Sequence, residues 1–170
     1  MPAAQKKSDA IALLMADHRE VDTLFKEYEK LCKADADDGE KGLLAAQICA
    51  LLTVHATIEE EIFYPAARAA LAQGDLIDEA QVEHATAKGL IAQIVAAEPG
   101  EDRYDARVQV LGEYIRHHVK EEEGEVFPRV QKAKAVDLAA LGTALHERKD
   151  EAMWNRHLAT DPSERASPDN

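Results

Sequence analysis

The amino-acid sequence predicts an all-α protein, an up-down-up-down antiparallel four-helix bundle with an extra C-terminal helix. Of its 170 residues, 46% are hydrophobic and 31% are charged, while glycine and proline number only 8 and 6, a composition typical of helical proteins. Apolar side chains recur at steps of three and four residues through four long segments, which is the spacing of one helix face. Short polar breaks separate the segments, so consecutive helices are expected to lie antiparallel.

Each of the four bundle helices has recognisable ends or breaks. Ser8 and Asp9 offer side-chain oxygens for an N-cap of the first helix. Pro65 should kink the second helix before Gly74 closes it, and Pro128 should kink the fourth. The apolar stripes are Ile11, Leu14, His18, Val21, Phe25, Tyr28 and Cys32; Leu44, Ile48, Leu51, His55, Glu59 and Ile62; Ile77, Ala80, His84, Ala87, Ile91 and Ile94; and Val108, Leu111, Ile115, His118, Glu122 and Val126.

These elements divide the chain into three parts: a bundle over 8–133, a C-terminal helix over 136–158, and a tail over 159–170. The tail is polar and is expected to be disordered. The C-terminal helix carries apolar residues that could form a partner or dimer surface, so the chain is expected to be a monomer or a dimer through this helix. These residues are Leu138, Leu141, Leu145 and Trp154.

One motif occurs twice. In each copy a histidine is followed by a glutamate four residues later and by a proline ten residues later, and an isolated histidine precedes each copy. Residues four apart on a helix lie on the same face, and the six residues all fall on the apolar stripes. They are His18, His55 and Glu59 in the first half, and His84, His118 and Glu122 in the second.

Histidines and glutamates on the apolar face of four helices indicate a metal site. An unpaired buried carboxylate costs several kcal/mol, so each glutamate requires a cation, a proton or a partner. A metal ion compensates both glutamates at once; an internal hydrogen-bonded His–Glu network is the alternative. Imidazole and carboxylate suit iron, manganese, zinc, copper or nickel, and the lack of nearby thiolates argues against a structural zinc site. Three protein ligands for each of two metals would leave positions open for a small ligand.

With these motifs the chain resembles the hemerythrin-like, HHE cation-binding family over about residues 10–130. The resemblance rests on Asp17-His18-Arg19, on Glu83-His84 and on the two His-x-x-x-Glu-Glu motifs. It implies an antiparallel four-helix bundle around two non-haem iron ions, oxo- or hydroxo-bridged, with manganese or zinc as other occupants. The four histidines would be terminal ligands, and Glu59 and Glu122 would be bridging carboxylates.

The sequence also departs from the oxygen carriers of that family. Lys88 stands where they have a fifth histidine, and Glu122 follows His118 by four residues where they have an aspartate after a longer gap. Lys88 either extends to solvent or directs its ammonium at an open coordination position. Tyr114 could place a hydroxyl near the metals or pack in the core. Glu60 and Glu123 either hydrogen-bond to the ligands or face solvent.

The expected functions follow from this ligand set. The leading hypothesis is a di-iron protein that reacts with or senses O2, peroxide or nitric oxide, or handles iron in a stress response. A di-iron peroxidase, catalase or oxidase is a second, a reversible oxygen carrier is disfavoured by Lys88, and a metal-gated interaction module is a fourth. Whether the protein is an enzyme stays open.

Bulk charge limits the expected partners. The formal net charge is −13, with 33 acidic against 20 basic residues, and such a surface repels nucleic acid and anionic lipid. Residues 1–8 carry no apolar run, and we expect no signal peptide or membrane span. Cys32 and Cys49 are expected to be buried thiols in a reducing compartment, which favours the cytoplasm.

Overall fold

The computed structural model describes residues 9–72 and 74–160. Regular structure over these residues is entirely helical, and no strand occurs among them, so the all-α prediction is confirmed. Ser8 and residues 161–170 of the tail lie outside the described residues. The elements are α1 (Ala10–Lys33), α2 (Asp38–Ile58), π1 (Glu59–Phe63), α3 (Tyr64–Ala70), α4 (Asp75–Ala96), α5 (Tyr104–Glu121), π2 (Glu122–Val126), α6 (Phe127–Ala133) and α7 (Leu138–Thr160).

The bundle consists of two helical hairpins. α1 packs against α2, α4 packs against α5, and the hairpins meet through α1 with α5 and α2 with α4. The predicted cap at Asp9 is present, since its side chain accepts a hydrogen bond from the backbone N–H of Ala12 at 2.9 Å. Two apolar clusters fill the interior. On α1, Leu14 belongs to one cluster and Val21 to the other, and His18 lies between them.

The predicted proline kinks take the form of π-helical turns that precede the prolines. The N–H of Tyr64 bonds to the carbonyl of Glu59, and the N–H of Phe127 bonds to the carbonyl of Glu122, five residues back in each case. A proline in a helix has no N–H and its ring collides with the carbonyl of the preceding turn. The wider π turn accommodates the ring just before Pro65 without ending the helix.

Each π turn advances the helix face by about one residue. The regular stripe predicts that Ile62 points inward, yet Phe63 and Tyr64 are the buried residues and Ile62 is only partly buried. The helix then ends at Ala70, and Leu71 is extended. It does not reach Gly74 as the sequence predicted.

The C-terminal helix α7 is packed on the first hairpin. It contacts α1, α2 and π1, and the Leu145 side chain on it is fully buried. It continues through Thr160, so the first two residues assigned to the tail are helical. Trp154 and Met153 are 57% and 41% exposed on its outer side.

One helix meets the length and composition of a membrane span, which corrects the expectation that no stretch would. The continuous helix Asp38–Ala70 contains an 18-residue window with a mean hydropathy of 1.4. Half of that window is buried inside the bundle. A helix in the core of a folded bundle can have the same length and apolar composition as a membrane span.

Candidate metal centre

Six buried polar side chains form one layer across the middle of the bundle. Every bundle helix contributes at least one of them, and the structure brings together all six residues that the sequence predicted as metal ligands. Their exposed fractions are 4% for His18, 9% for His55, 0% for Glu59, 4% for His84, 3% for His118 and 1% for Glu122.

The histidines form two pairs whose Nε2 atoms face each other. The Nε2 atoms of His18 and His55 are 3.2 Å apart, and those of His84 and His118 are 3.1 Å apart. Each glutamate lies between one histidine of each pair. Glu59 Oε2 is 3.2 Å from His55 Nε2 and 3.3 Å from His84 Nε2, and Glu122 Oε2 is 3.4 Å from Nε2 of both His18 and His118.

These separations are those of ligand atoms around metal ions. Two ligand atoms at right angles on one ion, each at about 2.1 Å from it, are about 3.0 Å apart. Two groups of atoms satisfy this spacing and share Glu59. One is His18, His55, Glu59 and Glu122, and the other is Glu59, His84 and His118.

The buried glutamate oxygens fit a layer that binds a cation. Among the described residues, both oxygens of Glu59 and Oε2 of Glu122 are buried without a hydrogen-bond partner, which is costly for a carboxylate. Burial by itself raises the pKa of Glu59, but His55 and His84 outweigh it and hold that pKa well below its usual range. The carboxylate is therefore charged, and either protonated histidines or a metal ion would balance this charge.

A second layer of carboxylates surrounds the histidines. Every Nδ1 atom lies close to a carboxylate oxygen, so an Nδ1–H donor would leave the Nε2 lone pair facing the interior. This is how metal-ligating histidines are oriented. The four contacts are His18 with Glu123 at 2.8 Å, His55 with Asp17 at 3.4 Å, His84 with Glu60 at 3.0 Å, and His118 with Glu83 at 2.6 Å.

The outer carboxylates obey the same sequence repeat as the ligands. Glu60 and Glu123 directly follow the buried glutamates, as the sequence suggested, and both contact a histidine. Asp17 and Glu83 directly precede a histidine and were missed as contacts. Neighbouring residues on a helix point about 100° apart, so each supports a histidine of another helix rather than its own neighbour.

Two lysines bind this outer layer. Lys88 Nζ lies 2.6 Å from both oxygens of Glu60, and its side chain is 46% exposed. It therefore extends to the surface, where it pairs with Glu60, and does not point at the inner nitrogens. Lys149 on α7 donates to Asp17 Oδ1 at 2.5 Å. Asp17 is thus shared between Lys149 and His55.

Among the tyrosines, Tyr64 contacts the inner layer and Tyr114 does not. The Tyr64 hydroxyl donates to Glu122 Oε1 at 2.8 Å and lies 3.1 Å from His84 Nε2. Tyr114 packs against the second apolar cluster instead. Burial, Glu59 and Glu122 raise the pKa of Tyr64 far above its usual value, so it is a neutral phenol. Tyr64 reaches Glu122 and His84 because of the π turn π1, and the helical periodicity of the sequence does not predict this turn.

Two inner histidines are strongly basic. Burial lowers the pKa of His55, but Glu59 and Asp17 outweigh burial and raise the pKa to about 10. For His118, burial is likewise outweighed by Glu122, Glu59 and Glu83, which raise the pKa to about 9. A metal that binds these nitrogens at neutral pH must therefore displace protons.

The remaining histidines and cysteines lie outside the group of six inner side chains, although His117 Nε2 is 3.9 Å from Glu83 Oε1 of the outer layer. His117 is 61% exposed and pairs with Glu121 at 3.2 Å, and His146 is 53% exposed. Cys49 is buried and Cys32 partly buried. Burial raises the pKa of the Cys49 thiol to about 11, so it is unreactive.

An apolar cavity adjoins the histidines. Its volume is about 30 Å³, and a water molecule needs at least about 10–15 Å³ measured in this way. All four inner histidines line it, together with Leu52, Ala87, Ile115 and other apolar side chains, and Lys88 and Lys149 also contribute. Glu59, Glu122 and Tyr64 do not line it, so the cavity lies on the histidine side of the layer.

Comparison with known proteins agrees with this geometry. Residues 9–130 match the family model described as the hemerythrin HHE cation binding domain. The chain belongs to the hemerythrin HHE family. Its fold is similar to the crystal structure of a hemerythrin HHE cation binding domain-containing protein from Mycobacterium kansasii, with a TM-score of 0.74 and 22% identity over 91% of this chain and 94% of that one.

A second similarity is to a protein named DNA nickase from Nostoc sp. The two are 32% identical over 120 residues, which is 70% of this chain but 32% of the Nostoc protein. The chain thus spans about a third of that protein's length.

Proposed function

We propose that this HHE domain holds two iron ions in the layer of six side chains and that the bound pair reacts with or senses O2, peroxide or nitric oxide. Handling of iron in a stress response, in the cytoplasm, is the related role. His18 and His55 would hold one ion, and His84 and His118 the other, with Glu59 and Glu122 shared. When bound, a non-haem iron pair supplies redox and Lewis-acid chemistry toward such ligands.

The composition of the layer suits iron, with manganese or zinc as other occupants. Its atoms are imidazole nitrogens and carboxylate oxygens without thiolate, a set that suits these metals and disfavours structural zinc. The groups of three and four residues leave coordination positions for an external ligand.

The cavity is the observation that supports a small ligand. With about 30 Å³ enclosed by apolar side chains and the four histidines, it has room for about two water-sized atoms. O2, nitric oxide and peroxide have two heavy atoms, which matches this volume. A ligand in the cavity would lie beside the four inner histidines.

Reversible oxygen transport is not proposed. Lys88 replaces the fifth histidine of the oxygen carriers, and its ammonium is bound to Glu60. Position 88 therefore does not supply the extra ligand that gives the two irons of those carriers unequal ligand counts.

A catalytic role toward peroxide is a second candidate. Lys88 and Lys149 line the same cavity and would act as proton donors to a ligand bound there. Turnover of peroxide by the iron-loaded protein above that of free iron supports this role, and equal rates contradict it.

A metal-gated interaction module is a third candidate. Lys149 joins α7 to Asp17 and so to His55, a chain of contacts that metal binding could alter. Hydrogen exchange in α7 that differs between metal-loaded and metal-stripped protein supports it. Identical exchange in the two forms contradicts it.

DNA nicking is not proposed for this chain. The similarity covers a third of the Nostoc protein, and the net charge of −13 opposes a phosphate backbone. We expect supercoiled plasmid to remain intact after incubation with the iron-loaded protein.

The deciding experiment measures iron per chain after anaerobic purification, with optical spectra before O2 is admitted, in its presence and after its removal. Two irons with an irreversible spectral change support the proposal. A reversible band would restore oxygen transport, and zinc or no metal would refute the di-iron assignment.

A further inference from the structure

The two halves of the metal centre differ at one pair of equivalent positions. Tyr64 follows Glu59 by five residues, and Phe127 follows Glu122 by five residues, so the duplicated hairpin places them at the same point. Both lie directly after a π turn, and both are buried. At this position the two halves therefore differ by a single hydroxyl group.

That hydroxyl reaches the metal layer on one side only. Tyr64 Oη lies 3.1 Å from His84 Nε2 and 2.8 Å from Glu122 Oε1, which is the spacing of the other ligand atoms in the layer. Phe127 stacks parallel on His18, with ring centroids 5.8 Å apart and an interplanar angle of 6°. It offers no polar atom to the nearby nitrogens.

The π turns explain why these side chains reach the layer. On a regular α-helix, a residue five positions after Glu59 points about 140° away from it. The π turn removes most of this rotation, so Tyr64 faces the same interior as Glu59. A straight helix would direct the hydroxyl away from the centre.

We propose that Tyr64 makes the two metal positions inequivalent. An ion held by His84 and His118 would have a phenol oxygen at ligand spacing, and an ion held by His18 and His55 would have none. The phenol also holds one oxygen of the shared Glu122 through a hydrogen bond. This inference rests on the proposed two-metal function and adds that the two ions differ in affinity and coordination.

The two positions otherwise have similar donors. Each has two histidines, Glu59 belongs to both groups, and Glu122 Oε2 lies 3.4 Å from one histidine of each pair. Each inner histidine has an outer carboxylate, although the contact is 2.6 Å long at His118 and 3.4 Å at His55. Lysines bind one outer carboxylate on either side, Asp17 and Glu60. Tyr64→Phe removes the hydroxyl and leaves all these groups in place.

The test is titration of the metal-stripped protein with Co²⁺ under anaerobic conditions, followed by calorimetry and by the visible spectrum of the ion. Wild-type protein should bind two ions in two resolved steps that differ in affinity by roughly tenfold to a hundredfold, as for a contact with a charged group. Tyr64→Phe should still bind two ions, with the two steps closer in affinity than in the wild type.

Tyr28→Phe is the matched control, because it removes a buried hydroxyl that also bonds a carboxylate, Asp105 at 2.7 Å, far from the metal layer. It should keep the two resolved steps. Thermal melting of each variant verifies that it is folded.

The outcomes separate the two proposals. Two ions with an unchanged separation of steps in Tyr64→Phe overturn the inference alone, whereas fewer than two ions in the wild type overturn the proposed function as well. The wild type gives an independent measurement: Mössbauer spectra of ⁵⁷Fe-loaded protein should contain two iron environments of equal area. One environment overturns the inference without reference to any variant.

Discussion

Removing the outer carboxylate of His118 should weaken metal binding. Glu83 Oε2 lies 2.6 Å from His118 Nδ1, the shortest of the four outer contacts, and Glu83 is only 12% exposed. Glu83→Gln keeps the shape but removes the charge that orients the ring and makes it a better ligand. Loss of such a partner costs about 10- to 100-fold in metal affinity, which is about 1.4–2.7 kcal/mol.

The same reasoning predicts a smaller effect at the equivalent position. Asp17 lies 3.4 Å from His55 Nδ1 and shares its charge with Lys149. Asp17→Asn should therefore reduce affinity less than Glu83→Gln does. Glu121→Gln is the control, because this neighbouring glutamate pairs with the exposed His117 and not with an inner histidine.

The assay is competition for metal with a coloured chelator of known affinity, at fixed pH and ionic strength. A loss of less than about threefold for Glu83→Gln, well under the range expected for such a partner, would show that Glu83 does not support His118 as a ligand. The reasoning is also refuted if Glu121→Gln weakens binding equally, since charge alone rather than the contact with His118 would then be responsible.

Three further results are expected. His55→Ala and Glu59→Ala should lower the melting temperature of metal-saturated protein by roughly 5–10 °C in a calorimetric scan. The reason is that metal at a hundredfold excess over Kd stabilises the folded protein by about 2.7 kcal/mol, and these variants lose that stabilisation. His146→Ala, on the surface, should leave the melting temperature unchanged. Metal affinity should fall as the pH falls, because protons compete with the metal for His55 and His118, whose pKa values are about 10 and 9. Calorimetry in buffers of different ionisation enthalpy should detect protons released on metal binding. The absence of released protons would contradict these pKa values. Leu145→Ala should destabilise the protein by about 2–5 kcal/mol in urea unfolding, because this fully buried side chain docks α7; a change below about 1 kcal/mol would mean that α7 packs independently of the bundle.

The helical fold and the six central residues follow from the sequence because both depend on periodicity. A histidine or glutamate on the apolar face of a helix becomes buried when that face packs into the bundle, whatever its neighbours in the sequence are. The duplicated motif also implies that ligands from two hairpins meet. The duplicated motif also singles out Glu60 and Glu123 as candidate contacts of the ligands, because each directly follows a buried glutamate.

The tertiary structure alone decided the contacts that depend on helix phase and on distant parts of the chain. Tyr64 faces the centre because a π turn before Pro65 shifts the helix face, and regular periodicity places it elsewhere. Lys149 reaches Asp17 across 132 residues of sequence because α7 folds back on the first hairpin. Local patterns fix which face of a helix is buried, while packing between helices fixes which side chains meet there.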